Sequence, residues 1–258
     1  MRKLATPPLD PAFRHPIAHR GLHDAARGIV ENSAAAFSAA IAHGYGIECD
    51  LRPASGGKPI VFHDETIDRL IAECGPVSAL TPADLSVLRY RTGGEAIVTF
   101  AALLALVAGR VPLLVEVKSE WDPPDAAFLA GIAQLAASYT GPIGLMSFDP
   151  DVVARLAVLA PTVPRGLISG SYNSTSGEPW WPGRLTAARR AHLRDLAGLD
   201  DVGASFIAYE AGALPTPATT AATRARGLPL FAWTVRTAAD RAHATSHADA
   251  IIFEGFLP

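Results

Sequence analysis

Residues 45–64, which read YGIECDLRPASGGKPIVFHD, are the stretch from which the fold can be worked out. They hold two short apolar runs of β character, 46–51 and 59–62, separated by a turn rich in Pro, Ser and Gly. Side chains alternate faces along a strand, so Glu48 and Asp50 point the same way. Adjacent carboxylates repel each other unless a cation or a shared proton compensates them. A bound divalent metal is the simplest explanation of this pair.

The composition is that of an ordinary soluble globular chain of 258 residues, 49% hydrophobic and 18% charged. The formal net charge of -3 gives no support to binding of nucleic acid or of an anionic membrane surface. Cys49 and Cys74 make neither a disulfide framework nor a zinc site. We find no signal peptide and no run near the ~20 apolar residues of a membrane span. We therefore expect a cytoplasmic protein without stable membrane insertion.

Apolar runs alternate with helical patterns on both sides of the opening stretch. Besides 46–51 and 59–62, the predicted strands are 15–19, 111–117, 142–148, 163–168, 204–209, 228–235 and 250–254. The predicted helices are 34–43, 82–88, 99–108, 123–138, 149–159, 184–197, 216–226 and 236–245. Asn32 or Ser33 offers an N-cap for the first helix, and Thr81 one for the second. The nearly continuous apolar run 111–117 is typical of a strand buried on both faces of a parallel sheet.

This alternation predicts an α/β fold, with a closed (β/α)8 TIM barrel as the commonest solution at this length. Nine candidate strands compete for eight places, so either 59–62 forms a hairpin with its neighbour or a terminal run lies outside the barrel. The rival is an open doubly wound sheet, which is weakened because no Gly-rich phosphate loop follows the first strand. We predict a single domain over residues 1–258, with a leader at 1–14 and a loop insertion at 170–183.

Charged side chains lie within or just after the apolar runs, where they are costly unless paired or ligated. Each has a structural alternative: a lone His is more often structural than catalytic, and Glu116 with Lys118 could be a simple ion pair. Their joint occurrence favours a functional site at one mouth of the barrel. The set comprises His19, Arg20, Glu48, Asp50, His63, Asp64, Glu116 and Lys118.

Several motifs in order give the chain a specific resemblance. AHRG at 18–21, ENS at 31–33, GIECDL at 46–51, PIVFHDETIDRL at 59–70 and LLVEVK at 113–118 resemble the glycerophosphodiester phosphodiesterase family. SF at 147–148 and WTV at 233–235 extend the resemblance over roughly residues 15–254. It implies a barrel of the phosphatidylinositol-phospholipase C type and metal-dependent hydrolysis of a small-molecule glycerophosphodiester to glycerol 3-phosphate and an alcohol.

The resemblance also implies a role for each matching residue. The matching metal carboxylates are Glu48, Asp50 and Glu116, the catalytic histidines His19 and His63, and the phosphate-binding cations Arg20 and Lys118. An oxygen-only ligand set suits Ca²⁺ or Mg²⁺ and not zinc. The implied nucleophile is the glycerol 2-hydroxyl, which gives a cyclic phosphate that water then opens. We assign His19 as the acid and His63 as the base, and the residues leave the reverse assignment open.

The substrate pocket is less well defined. Phe148 and Trp233, near strand exits, are the predicted pocket residues. Trp180 and Trp181 either pack the long loop onto the barrel, which we favour, or line the leaving-group pocket, where an aromatic box would favour a quaternary ammonium such as choline.

Two positions near the carboxyl end depart from the family pattern. Arg236 stands where Asn is frequent, and Glu254 where Asp is frequent. We expect these departures to leave the metal and histidine set untouched, and we interpret His23 as a loop or surface residue.

Two other functions compete with diester hydrolysis. A phospholipase of the C or D kind would act on intact lipid and would need an apolar or basic membrane-facing surface. A non-catalytic relative would bind phosphodiesters without cleaving them, but such a protein usually lacks a histidine or a ligand, and this chain retains the set. The sequence leaves a homo-oligomer open.

Overall fold

The computed structural model describes residues 6–258, and residues 1–5, which open the predicted leader, lie outside the described part. The fold is a closed barrel of eight parallel strands with helices around it. In chain order the strands are β1 Ile17–Ala18, β2 Gly46–Ala54, β3 Lys58–Val61, β4 Leu113–Val117, β5 Ile143–Ser147, β6 Arg165–Ser169, β7 Phe206–Glu210, β8 Leu230–Val235 and β9 Ala250–Phe253. Strand β1 pairs with both β2 and β9 and so closes the ring.

The predicted TIM barrel is therefore confirmed, and the open doubly wound sheet is wrong. The ninth strand is explained by the hairpin alternative, because β3 pairs antiparallel with β2 through Leu51 opposite Val61. The outer strand β3 thus lies beside the barrel and not in its ring. It runs back from the end of β2 and brings the following segment, which begins with Phe62 and His63, beside Asp50, whose carbonyl accepts from the Phe62 amide at 3.0 Å.

Within residues 6–258, eight α-helices connect the strands at positions close to those predicted. They are α1 Ala34–Ala42, α2 Pro82–Val87, α3 Phe100–Val107, α4 Ala126–Ser138, α5 Pro150–Leu159, α6 Ala187–Arg194, α7 Pro217–Arg226 and α8 Ala238–Thr245. Ser33, not Asn32, caps α1, since its side chain accepts from the Ala36 amide. Thr81 caps α2 as predicted. Helix α6 begins later than predicted because Thr186 provides its cap.

Alternation along the strands separates two apolar regions. Outward-facing residues such as Cys49, Leu51 and Val115 pack under the helices, and Cys49 is fully buried there. Inward-facing residues such as Leu114 and Phe231 fill the barrel interior together with Phe13. Beyond this interior layer, the next inward-facing side chain along each strand lies two positions further on, at the carboxyl-terminal mouth. The strands that contribute to this mouth layer are β1, β2, β4, β5, β8 and β9. This layer carries the polar and aromatic side chains of the site.

The described part of the predicted leader contacts the opposite end of the barrel. A short 3-10 turn, Pro11–Arg14, places Phe13 against Phe231, with ring centroids 6.3 Å apart. The single-domain boundaries, including the leader at 1–14 and the insertion at 170–183, stay a prediction. Among residues 6–258, no helix has both the length and the apolar character needed to cross a bilayer.

Candidate active site

Three buried carboxylates meet at the mouth of the barrel. Glu48 and Asp50 project inward from β2, and Glu116 projects from β4, where it stands opposite Asp50 in the strand register. One ligand oxygen from each side chain lies within 4.8 Å of the other two. Glu48 and Asp50 are each 1% exposed, and Glu116 is 8% exposed. Three hard oxygen donors this close together and this well buried match the preference of Ca²⁺ or Mg²⁺.

Two cations lie against these three acids. Lys118 places its Nζ 2.8 Å from both Asp50 Oδ1 and Glu116 Oε1, and Arg20 Nε lies 3.4 Å from Asp50 Oδ2. Lys118 therefore forms the ion pair that the sequence left as a structural alternative, but with two acids and inside the mouth. Burial lowers the pKa of Lys118, but the charges of Asp50 and Glu116 outweigh it and raise the pKa above its ordinary value.

The electrostatics within the acid cluster are unequal. Burial, followed by the charges of Asp50 and Glu116, raises the pKa of Glu48 well above its usual range. Burial also acts to raise the pKa of Asp50, yet Lys118, followed by neighbouring histidine and arginine charges, holds it well below the usual range. Of the two acids on β2, Glu48 is thus the one whose negative charge its neighbours compensate less, and a bound divalent cation would compensate it. The residues present fit a metal of this kind.

Each predicted catalytic histidine has its Nδ1 on a carboxylate. His63 Nδ1 lies 2.8 Å from Asp64 Oδ1, and His19 Nδ1 lies 2.5 Å from Glu254 Oε2. In both cases the Nε2 atom is the nitrogen left for the cavity, and that of His19 lies 3.9 Å from Glu48 Oε2. Burial lowers the pKa of His19, although the hydrogen bond with Glu254 acts to raise it.

The expectation that the departures from the family pattern leave the histidines untouched is wrong for Glu254. The carboxylate contacts His19 directly, and its Oε1 accepts a hydrogen bond from Arg236 Nε at 2.7 Å. The two departures are therefore in contact with each other. His23 does lie in a loop, as expected, but its Nε2 reaches within 3.6 Å of Glu254 Oε2. Sequence reasoning missed the contacts of Glu254 with His19 and His23 because more than 200 positions separate the partners along the chain.

The segment that carries Arg20 bends sharply to face the acids. Arg20 adopts a left-handed backbone with φ 55°, and its amide donates to Glu48 Oε2 at 2.9 Å. Gly21 follows at φ 77°, and a Cβ there would meet Ala36 at 2.9 Å, which explains the glycine of the HRG motif. The Arg20 guanidinium is held by Glu31, with Nη1 2.7 Å from Oε1.

Asn32 is a site residue that we interpreted only as a cap candidate. Its side-chain Nδ2 donates to Asp50 Oδ2 at 2.8 Å, and its Oδ1 accepts from the Asp50 amide at 3.3 Å. Asn32 is 1% exposed and has a left-handed backbone with φ 56°. The available signal was the ENS motif, whose first and second residues hold Arg20 and Asp50 respectively.

A cavity of about 440 Å³ opens above the acids. One side is charged and includes both histidines, Arg20 and Lys118. The other side is aromatic, formed by Phe148, Trp180, Trp181 and Trp233. The predicted pocket residues Phe148 and Trp233 are therefore in place.

The aromatic rings contact one another. The centroid of Phe148 lies 5.1 Å from that of Trp181 and 5.4 Å from that of Trp233, and those of Trp180 and Trp181 are 6.0 Å apart. These are edge-to-face separations within a continuous wall and not the faces of an open box. Trp180 and Trp181 also pack on buried Tyr172 and on Phe148, which agrees with the favoured alternative that they pack the long loop onto the barrel. The alternative that they line a leaving-group pocket stays a prediction.

Fold and site together define a (β/α)8 barrel with an acidic cluster, two cations and two carboxylate-bound histidines at its carboxyl-terminal mouth. The Glycerophosphoryl diester phosphodiesterase family matches residues 19–253, which is most of the chain. The protein belongs to this family.

Curated relatives match a shorter part of this chain than the family model does. "Probable glycerophosphodiester phosphodiesterase 1" of Mycobacterium tuberculosis is 32% identical over 179 residues, covering 60% of this chain and 64% of that protein. Glycerophosphodiester phosphodiesterase 1 of Rattus norvegicus is 30% identical over 151 residues, covering 54% of this chain and 44% of its own length. The matched regions thus span less than two thirds of either relative.

Solved structures share the fold over nearly the whole chain. An Oleispira antarctica phosphodiesterase in complex with the product sn-glycerol-3-phosphate has a TM-score of 0.72 at 18% identity, covering 93% of this chain and 92% of its own. A glycerophosphodiester phosphodiesterase from Agrobacterium tumefaciens has a TM-score of 0.68 at 24% identity, with coverage of 93% and 96%. At these identities the similarity concerns the fold.

Proposed function

We propose that this protein hydrolyses glycerophosphodiesters to glycerol 3-phosphate and an alcohol. The observation that carries the proposal is the placement of His19 and His63 in one cavity with three clustered carboxylates and two cations. Family membership supports the reaction class, as do the names of the curated relatives and the product held by the Oleispira antarctica enzyme. Both histidines and the full ligand set are present, which disfavours the non-catalytic alternative.

Glu48, Asp50 and Glu116 would hold the divalent metal, for which we propose Ca²⁺ or Mg²⁺. When bound, such a metal neutralises phosphoryl charge and lowers the pKa of a hydroxyl that it coordinates. Arg20 and Lys118 place fixed positive charge beside the phosphoryl oxygens, which gain negative charge in the transition state. Since these cations are themselves held by Glu31, Asp50 and Glu116, little reorganisation is needed when the diester binds.

The two histidines supply the proton transfers. One removes the proton from the glycerol 2-hydroxyl as its oxygen attacks phosphorus, and the other donates a proton to the departing alcohol as the P–O bond breaks. Water then opens the cyclic phosphate to glycerol 3-phosphate. The assignment of His19 as acid and His63 as base stays a prediction.

The aromatic wall is the proposed contact for the alcohol group. Phe148 and Trp233 bind the substrate there, beside Trp180 and Trp181. Because the rings pack against each other, an apolar surface is offered in place of a cage for a quaternary ammonium. This feature also favours the second candidate, a phospholipase of the C or D kind, since an acyl chain could lie on the same wall.

The test is release of glycerol 3-phosphate from glycerophosphocholine with Ca²⁺ or Mg²⁺, with and without EDTA. We expect release that EDTA abolishes, and loss of release in His19→Ala and His63→Ala. Absence of release with either metal contradicts the proposal, and wild-type rates in the two variants contradict the mechanism. Faster cleavage of lipid in vesicles than of the diester would favour the phospholipase. The cytoplasmic location stays a prediction, and a homo-oligomer stays open.

A further inference from the structure

Glu254, an acid at the end of the last strand of the barrel, contacts His19 at the end of the first strand. Glu254 directly follows β9, and His19 directly follows β1, which pairs with β9. The His19 amide donates to the Phe253 carbonyl at 2.8 Å, so the two side chains start from neighbouring backbone positions. Their contact between Nδ1 and Oε2, at 2.5 Å, is thus built into the closure of the barrel.

This contact determines which nitrogen of His19 is available. A carboxylate only accepts hydrogen bonds, so the proton of a neutral imidazole must be on Nδ1. Nε2 is then the unprotonated nitrogen, and it faces Glu48 on the cavity side. In this neutral form Nε2 accepts a proton, so to act as the predicted acid His19 must first take up a proton there. A carboxylate on the far nitrogen of a histidine fixes both the tautomer and the ring orientation. Without it, the ring could rotate or take the opposite tautomer.

Glu254 is itself fixed from the solvent side. Arg236 Nε donates to Oε1 at 2.7 Å, which leaves Oε2 for His19. His23 Nε2, at 3.6 Å from Oε2, is beyond normal hydrogen-bond distance. Arg236 stands where the family pattern often has Asn, and Glu254 where it often has Asp. The two departures thus form one pair, in which Arg236 holds Glu254 and Glu254 contacts His19.

We propose that Glu254, held by Arg236, is the positioning residue that keeps His19 in the Nδ1–H tautomer with Nε2 turned toward the substrate. The expected effect on kcat rests on the proposed function. The expected tautomer of His19 rests on its contact with Glu254 alone. Neither Glu254 nor Arg236 is assigned a direct role in the bond-breaking step.

The experiment compares the wild type with Glu254→Gln, Glu254→Asp and Arg236→Gln, with Asp200→Asn as a matched control. Asp200 also binds an arginine, Arg226 at 2.7 Å, but on the exposed surface. We expect Glu254→Gln to lower kcat for glycerophosphocholine about 10- to 100-fold with little change in KM. Glu254→Asp should recover part of that loss, Arg236→Gln should lose less, and Asp200→Asn should equal the wild type.

The second readout needs no substrate. Long-range ¹H–¹⁵N spectra report the tautomer of each histidine, and the His19 signals are those that vanish in His19→Gln. We expect the Nδ1–H tautomer in the wild type and in Asp200→Asn, and its loss in Glu254→Gln.

The two readouts separate two kinds of failure. An Nε2–H tautomer in the wild type overturns the proposal even if some variant fails to fold, and so does a wild-type kcat in Glu254→Gln. If the wild type cleaves no diester, the proposed function fails, while the spectra still decide whether Glu254 positions His19.

Discussion

The two histidines stand in similar arrangements of different origin. On one side, His63 binds Asp64, which accepts from Arg69 Nε at 2.6 Å. On the other side, His19 binds Glu254, which accepts from Arg236. We name these the local arm (His63, Asp64, Arg69) and the seam arm (His19, Glu254, Arg236).

The arms differ in sequence span and in surroundings. The local arm spans seven consecutive positions on the segment after β3, whereas the seam arm joins the first and last strands of the ring across 235 positions. The His63 side chain is 32% exposed and that of His19 is 14% exposed. The same chemical arrangement is thus obtained once from local sequence and once from ring closure.

The largest expected effect concerns the histidines themselves. We expect His19→Gln and His63→Gln each to lower kcat by roughly 10² to 10⁴-fold, because each removes one of the two proton transfers. The rates are measured by glycerol 3-phosphate release, with circular dichroism to show that the variants fold. Near wild-type activity in one variant alone would mean that the arms are not equivalent partners in the reaction.

A smaller effect on KM and kcat should distinguish Arg69 of the local arm from Arg236 of the seam arm. Arg69 also forms two hydrogen bonds with Glu31, at 2.7 and 2.9 Å, and Glu31 holds Arg20. Because Arg20 faces the phosphate in the proposed complex, Arg69→Gln should both raise KM and lower kcat, each by about threefold to tenfold, roughly 1 kcal/mol. Arg236→Gln should lower kcat and leave KM near the wild-type value.

Steady-state kinetics on the two variants check this difference, with Asp200→Asn as the common control. An unchanged KM in Arg69→Gln would show that the link from the local arm to the phosphate site does not matter for binding.

The smallest effect is on stability and its pH dependence. Burial acts to raise the pKa of Asp64, but the hydrogen bonds with His63 and Arg69 outweigh it and hold the pKa below its ordinary value. A depressed folded pKa contributes stability above the unfolded value, about 3.9, and that contribution is lost as pH falls through the folded pKa. Asp64→Asn should therefore cost about 1 kcal/mol at pH 7.

The difference in the free energy of unfolding between wild type and Asp64→Asn should shrink as the pH drops below about 4. Urea unfolding at pH 7 and pH 3 measures it. Glu254→Gln should show the same trend, since the pKa of Glu254 is likewise lowered by His19, against its burial. A difference that is constant with pH would assign the stability loss to packing instead.

Much of the site could be predicted because it depends on period-two alternation. That rule alone puts Glu48 beside Asp50 and Glu116 beside Lys118, and the parallel register then brings Asp50 opposite Glu116. The pair of His63 and Asp64 needs only chain neighbours. The number of ring strands could not be settled, because a hairpin strand and a barrel strand have the same apolar pattern.

The remaining contacts depend on how distant segments meet. Glu254 reaches His19 only when the ring closes, and Asn32 reaches Asp50 from the folded loop after β1, where the Asn32 amide donates to the Arg20 carbonyl. No spacing or periodicity in the sequence predicts either of these two contacts. The structure also explains why two departures from a family pattern should be considered together, since Arg236 and Glu254 are neighbours in space.

Strand β1 is only two residues long, yet it bonds to the strands on both sides and is followed at once by His19. His19, one of the two proposed catalytic histidines, therefore follows the shortest strand of the barrel. Because the contact between His19 and Glu254 lies across the pairing of β1 with β9, we expect that separating these two strands would break it. If His19 acts as proposed, loss of activity would then report that the barrel has opened between β1 and β9.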